Sequence, residues 1–223
     1  MKPASIAIAL LAACAAVAAT APAQDASPNK VAGWRTLFDG KRLDGWEHVG
    51  PGKMVIEDGV LRTEGGMGLL WYTREKLGNC VIRIVYKTSS KFSNSGVFIR
   101  IADKPKDEWY AVHHGYEVQI DDAADEFHCT GAIYSMSKAT AQPSKTGEWN
   151  TLEITLKGDH VTVTVNGVKV NDFDSKQPVP ERTKDYEPER GPRPESGYIG
   201  LQNHDDAGRN ASVYFKEVSV KPL

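Results

Sequence analysis

The sequence predicts an all-β sandwich or jelly roll, and three observations carry that expectation. Short segments that alternate apolar and polar side chains recur at spacings of 8–15 residues. Turn pairs punctuate them, among them Asp58-Gly59, Gly158-Asp159 and Asn166-Gly167. No stretch of the mature part holds apolar side chains at helical spacing for three turns. No internal repeat stands out, which argues against a propeller.

Taken in order, 34–40 is a short strand ending in the Asp39-Gly40 turn, and 43–46 tucks Trp46 against the sheet. Residues 55–63 form a hairpin about Asp58-Gly59, and a glycine-rich turn at 65–68 leads into 69–72. A longer strand follows at 81–87. Strands at 94–101 and 116–121 are joined by a charged loop holding Trp109, Tyr110, His113 and His114, and 131–134 is a short strand at a groove edge. Leu152, Ile154 and Leu156 alternate with Glu153 and Thr155, and Val161, Val163 and Val165 alternate with threonines. Asn166-Gly167 then turns the chain into 168–170. The five prolines and many charges of 177–195 exclude a central strand, so this is a long loop of functional or mobile character. Strands at 198–203 and 213–220 close the chain.

Of the 223 residues, 1–23 have the features of a signal peptide: Lys2, an uncharged apolar run, then Ala21-Pro22-Ala23. Leu11-Ala12-Ala13-Cys14 keeps a second reading open, a lipoprotein anchored through Cys14. Either way the chain is expected to be exported, periplasmic or secreted, with no transmembrane segment. A polar linker spans 24–32, and 33–223 is long enough for one sizeable core. A formal net charge of −2 argues against a nucleic-acid partner. Cys80 and Cys129 either pair or stay as buried thiols. No Cys-x-x-Cys or His-Glu-x-x-His spacing supports a zinc site.

The chemistry concentrates on three strands. In 116–121, Tyr116, Val118 and Ile120 share one face, and Glu117, Gln119 and Asp121 the other. In 94–100, Val97 and Ile99 oppose Asn94, Gly96, Phe98 and Arg100. In 198–204, Ile199 and Leu201 oppose Tyr198, Gly200, Gln202 and His204. Solvated strand faces are usually Lys, Thr, Ser and Glu; these faces carry Arg, amides, His and aromatics with glycines between, as a lined groove would.

Six motifs occur in a fixed order: Leu37-Phe38-Asp39-Gly40 with Leu43-Asp44-Gly45-Trp46; Asn94-Ser95-Gly96 with Arg100; 115–121; Gly131-Ala132-Ile133-Tyr134; Glu148-Trp149-Asn150 with Asn166-Gly167; and Gly200-Leu201-Gln202-Asn203-His204. Together they resemble the 3-keto-disaccharide hydrolase family over about 33–220. The resemblance implies a concanavalin A-like jelly roll of two curved antiparallel sheets with a sugar groove on the concave face. It also implies cleavage of glycosides oxidised to a ketone at carbon 3, and an upstream sugar dehydrogenase as partner. The insert at 177–195 is not part of those motifs.

Such a substrate asks for a base near C2, donors or a cation at the C3 oxygen, and an acid for the leaving group. Glu117 is the expected base, Arg100 the enolate stabiliser and His204 the second acid/base group. Asn94, Gln119 and Gln202 suit sugar hydroxyls. Trp71 or Tyr134 would stack on the sugar. Asp121 is expected in a turn with Asp122. His113 and His114 point opposite ways on an extended chain, so one, taken as His114, reaches the rim. No cofactor is required, although Glu117, His204 and a third group could hold a divalent metal in place of Arg100's role. Elimination–hydration and direct hydrolysis both stay open. So does a non-catalytic carbohydrate-binding module; an ordinary glycosidase needs two groove carboxylates, and beside Glu117 the groove strands offer only Asp121.

Overall fold

The computed structural model describes Met1 and residues 33–205 and 211–223. Residues 2–23 of the expected signal peptide, with Cys14, and the linker at 24–32 lie outside the described residues. No helix among the described residues is long and apolar enough to cross a membrane.

Two antiparallel sheets make the body. The larger runs in the order β11 (Val168–Asp174), β10 (His160–Val165), β9 (Asn150–Lys157), β6 (Cys80–Thr88), β13 (Val213–Pro222), β4 (Val60–Glu64) and β3 (Lys53–Glu57), with β1 (Arg35–Phe38) also on β13. The smaller runs β2 (Trp46–Val49), β5 (Gly66–Tyr72), β12 (Tyr198–Asp205), β7 (Asn94–Ile101) and β8 (Tyr116–Asp121). The all-β sandwich of the sequence reading is thus observed. Both hairpins turn where expected, with positive φ at Asp58 and Gly59 and at Asn166 and Gly167, the geometry that suits a two-residue turn to strand twist.

The alternation written in the strands builds the core. Ile82, Ile84, Leu152, Ile154, Val161, Val163, Phe215 and Val218 of the large sheet meet Leu70, Tyr72, Val97, Ile99, Val118, Ile120, Ile199 and Leu201 of the small one. Trp46 is buried as expected, its indole N–H donating to Leu37 O at 2.9 Å.

The small sheet also buries part of its outer face. Leu69, Trp71, Phe98 and Ile101 form a second cluster beneath Ala111 and Val112 of α1 (Glu108–His114). The sequence reading made this segment a loop. At seven residues it is too short to be stable alone, so caps and packing hold it. The Asp107 carboxylate accepts from Trp109 and Tyr110 N–H, Gly115 N–H donates to Ala111 O, and the two buried side chains face the sheet.

Residues 131–134 do lie along the outer edge of β8, but as isolated bridges rather than a strand. Tyr134 N–H donates to Glu117 O and Gly131 N–H to Gln119 O. No strand forms in 177–195. Two arginines anchor this insert. Arg193 donates to the Gly115 and His113 carbonyls, and Arg190 to Ser135 O and the Glu187 carboxylate. Cys80 and Cys129 are buried free thiols.

Arg100 departs from the expected face. It has a positive φ of 53° and sits in a bulge where Ile99 and Arg100 face the single residue Ile199. One extra residue reverses the alternation, so Ile101 joins Phe98 on the outer face and Arg100 turns inward. Its guanidinium, 1% exposed, donates to Gly158 O at the β9–β10 turn of the other sheet. Arg100→Ala should therefore remove a strut between the sheets. We expect a loss of about 2–4 kcal/mol by denaturant unfolding; wild-type stability would contradict the strut.

Candidate functional site

The outer face of the small sheet that α1 leaves open is a pocket of about 310 Å³, at the small end of the ~300–1,000 Å³ range of small-molecule sites. Its floor comes from three adjacent strands: Asn94 of β7, Glu117 and Gln119 of β8, and Gln202 and His204 of β12. Met67 of β5, Trp109 and Val112 of α1, Tyr134, and Tyr186 of the insert complete it. Neighbouring strands stand about 4.8 Å apart, so the two-residue period on three of them brings five polar side chains together.

Glu117 is the most perturbed of these. It is 5% exposed, and burial pushes its carboxyl up to about 8, against a smaller opposing effect of a hydrogen bond from Gln202. Gly96 makes the room: a side chain there would collide with the Glu117 carboxyl. Gln202 Oε1 is buried without a partner among the described residues, an acceptor facing no protein donor. Burial also raises the Tyr134 phenol, with the Glu117 charge adding to the effect, to about 12, so it remains a neutral hydroxyl. Asn94, Gln119 and His204 are in contact: the Asn94 amide lies 2.7 Å from His204 Nδ1 and 3.2 Å from the Gln119 amide.

Of the nine residues singled out from the sequence, six line this pocket: Glu117, His204, Asn94, Gln119, Gln202 and Tyr134. Three do not. Arg100 is turned inward by the bulge. Trp71 faces outward as expected but lies under α1, 2% exposed, edge-on to Tyr198. It therefore offers no stacking surface. His114, at the end of a helix rather than on an extended chain, approaches Glu189 of the insert at 3.7 Å and lies tilted against the Tyr110 ring, 4.5 Å between centroids. Asp121 caps the turn, accepting from Ala123 N–H at 2.8 Å.

Sequence reasoning missed Trp109 and Tyr186, both exposed and both on the pocket. Trp109 lies in a segment whose sequence carries no strand or helix periodicity, and Tyr186 in an insert with no strand pattern to assign it a face. Exposed aromatics in such segments are the signal that was there to use. Among the described residues no three His, Cys, Asp or Glu side chains converge as metal ligands, and Glu117 and His204 find no third such group.

The whole folded part matches one family model, the 3-keto-alpha-glucoside-1,2-lyase-like domain, over residues 33–221. A 3-keto-disaccharide hydrolase of Bacteroides thetaiotaomicron is 27% identical over 86% of this chain and 79% of its own length. A crystal structure from Parabacteroides distasonis, provisionally named a glycosyl hydrolase, superposes with a TM-score of 0.67 at 26% identity, covering 87% of this chain and all of that one. The carbohydrate-binding module CBM66 of Bacillus subtilis shares the fold at a TM-score of 0.54 and 14% identity, covering 79% of this chain and 95% of the module. With the match extending across nearly all of the sandwich and every pocket-lining strand, the chain belongs to the 3-keto-alpha-glucoside-1,2-lyase-like family.

Proposed function

We propose that this pocket cleaves glycosides already oxidised to a ketone at sugar carbon 3. The observation that carries the reading is one small, half-enclosed pocket holding a desolvated carboxyl and an imidazole, surrounded by amides and aromatics. The ketone makes the C2 proton acidic. Removing it gives an enolate, which expels the C1 substituent as the leaving oxygen takes a proton. Water then adds at C1, completing a net hydrolysis. Glu117 and His204 share the acid and base roles. With Arg100 elsewhere, the developing charge on the C3 oxygen falls to neutral donors, the Tyr134 hydroxyl and the Gln202 amide. Trp109 and Tyr186 supply the apolar surface for a sugar ring. Direct hydrolysis of the same substrate is the competing route, and export together with an upstream dehydrogenase completes the setting.

The test is product release from a 3-keto disaccharide in heavy water. Cleavage with deuterium at C2 supports elimination–hydration, and cleavage without it supports direct hydrolysis. Tight binding with no cleavage would return the site to a carbohydrate-binding module.

Glu117→Gln should separate activity from stability. Turnover is expected to fall at least 10²-fold, the usual scale for losing an acid–base group. Stability should move the other way. A carboxyl whose folded value is about 8, against 4.5 ordinarily, binds more protons folded than unfolded between those values. Wild-type stability therefore falls as pH rises through that window. The variant lacks this slope, so thermal melts should show it gaining on wild type from pH 5 to 8, by on the order of a few kcal/mol. Parallel melting curves across that range would contradict the burial of an ionisable group.

Tyr186→Ala should act on binding. Tyr186 is half exposed and at the pocket mouth, so we expect KM for the 3-keto disaccharide to rise about 3- to 10-fold with kcat little changed. An unchanged KM would remove the insert from substrate contact.

A further inference from the structure

The pocket floor contains a hydrogen-bond chain whose direction is set by a group that cannot turn over. One end of the Gln119 amide lies 3.3 Å from the Ser95 carbonyl oxygen and 2.9 Å from Glu117 Oε1. Its other end lies 3.2 Å from the Asn94 amide, which in turn lies 2.7 Å from His204 Nδ1. An amide has an oxygen at one end and an NH2 at the other, and only its partners decide which is which. In one orientation Gln119 Nε2 donates to Asn94, and its oxygen is then set against both the Ser95 carbonyl and Glu117. In the other, Nε2 donates to both of those acceptors, and the Gln119 oxygen faces Asn94.

The Ser95 carbonyl is held in the strand and can only accept, which decides for the second orientation. Each further link follows. Asn94 must present its Nδ2–H to the Gln119 oxygen, and so its Oδ1 to His204. A neutral imidazole in contact with that oxygen carries its proton on Nδ1. We infer that the Ser95 carbonyl, relayed through Gln119 and Asn94, fixes His204 as the Nδ1–H tautomer with an unprotonated Nε2, making His204 the proton acceptor of the site and Glu117 the donor.

This reverses the roles expected from the sequence, where Glu117 was the base. Two things favour the reversal. Nε2 with a free lone pair can take a proton but cannot give one. Glu117, desolvated to about 8, holds its proton at neutral pH and can give it. The tautomer needs no assumption about substrate, whereas the division of roles rests on the proposed reaction. In that reaction His204 Nε2 takes the C2 proton, the C1–O bond breaks, and the leaving oxygen takes the Glu117 proton. Water then adds at C1 with loss of its proton to the Glu117 carboxylate, and the His204 imidazolium returns a proton to C2. Asn94 and Gln119 become positioning residues, acting through His204.

The experiment is nitrogen NMR on protein labelled with 15N-histidine, at about pH 9, where ordinary imidazoles are neutral. His204 is assigned by the signals missing in His204→Asn. In wild type, Nδ1 should give a protonated shift and Nε2 an unprotonated one; the opposite pattern would overturn the inference. Gln119→Met leaves His204's own neighbour in place but frees Asn94 to turn over. The Nε2–H form, which an untethered imidazole favours, should then appear. A tautomer unmoved by that change would overturn the relay.

The roles are read separately, from kcat/KM against pH for the 3-keto disaccharide. The other titratable groups lining the pocket are His204, Tyr134 and Tyr186, and Asp121 lies near His204. Glu117 as donor gives a rate that declines tenfold per unit above about pH 8, and a rate rising through that point would restore Glu117 as base. Absence of cleavage would remove the proposed reaction and leave the NMR result to decide the hydrogen-bond chain by itself.

Discussion

The smaller sheet is buried on its inner face and over part of its outer face, and the architecture of the site follows from that constraint. Its inner face is filled by the sandwich core, and part of its outer face is roofed by α1, with Tyr134 and Tyr186 of the insert walling the pocket that remains. A polar side chain on a covered face has lost its water, so it must find a partner in the protein or wait for one in a ligand. At one end the outer face is almost wholly apolar, with Leu69, Trp71, Phe98 and Ile101 under Ala111 and Val112, and only the Trp71 indole N–H of these side chains lacks a partner among the described residues. At the other end it is polar, and the polar groups satisfy one another in a connected set. The exception is informative: Gln202 Oε1 has no partner on a pocket wall.

The bulge at Arg100 is what keeps these two ends compatible. Strict alternation along β7 would have placed an arginine beside Phe98 beneath the apolar side of α1. The extra residue sends the guanidinium through the sheet to Gly158 and brings Ile101 out in its place. A single positive φ therefore removes a charge from the roof contact and gives the sandwich a tie between its sheets.

Strand faces were legible in the sequence because a two-residue period is insensitive to small errors in strand ends. That is why Glu117, Gln119, Gln202, His204 and Asn94 were found together. The failures share one cause: a local break in regular geometry that leaves no periodic trace. A bulge reverses parity, and nothing in Val97-Phe98-Ile99-Arg100-Ile101 announces it. A seven-residue helix is too short for its apolar pair, Ala111 and Val112, to stand out, so neither the helix nor the burial of Trp71 beneath it could be read. The insert brings Tyr186 to the pocket through contacts of Arg190 and Arg193 with backbone carbonyls, and carbonyls are invisible to residue-type reasoning.

The cost of Glu117 bears on whether the site binds or reacts. A carboxyl of value 4.5 held at about 8 costs roughly 3 kcal/mol of stability at pH 7, a large share of a marginal total. Recognition of sugar hydroxyls does not require it, since a glutamine of the same shape offers a donor and an acceptor without a charge to desolvate. What a glutamine cannot do is transfer a proton. The same contrast holds two strands away: hydroxyl recognition is indifferent to which nitrogen of His204 carries its hydrogen, whereas proton transfer depends on it. Two groups have environments that matter only if protons move, and that favours a reacting site over a binding one.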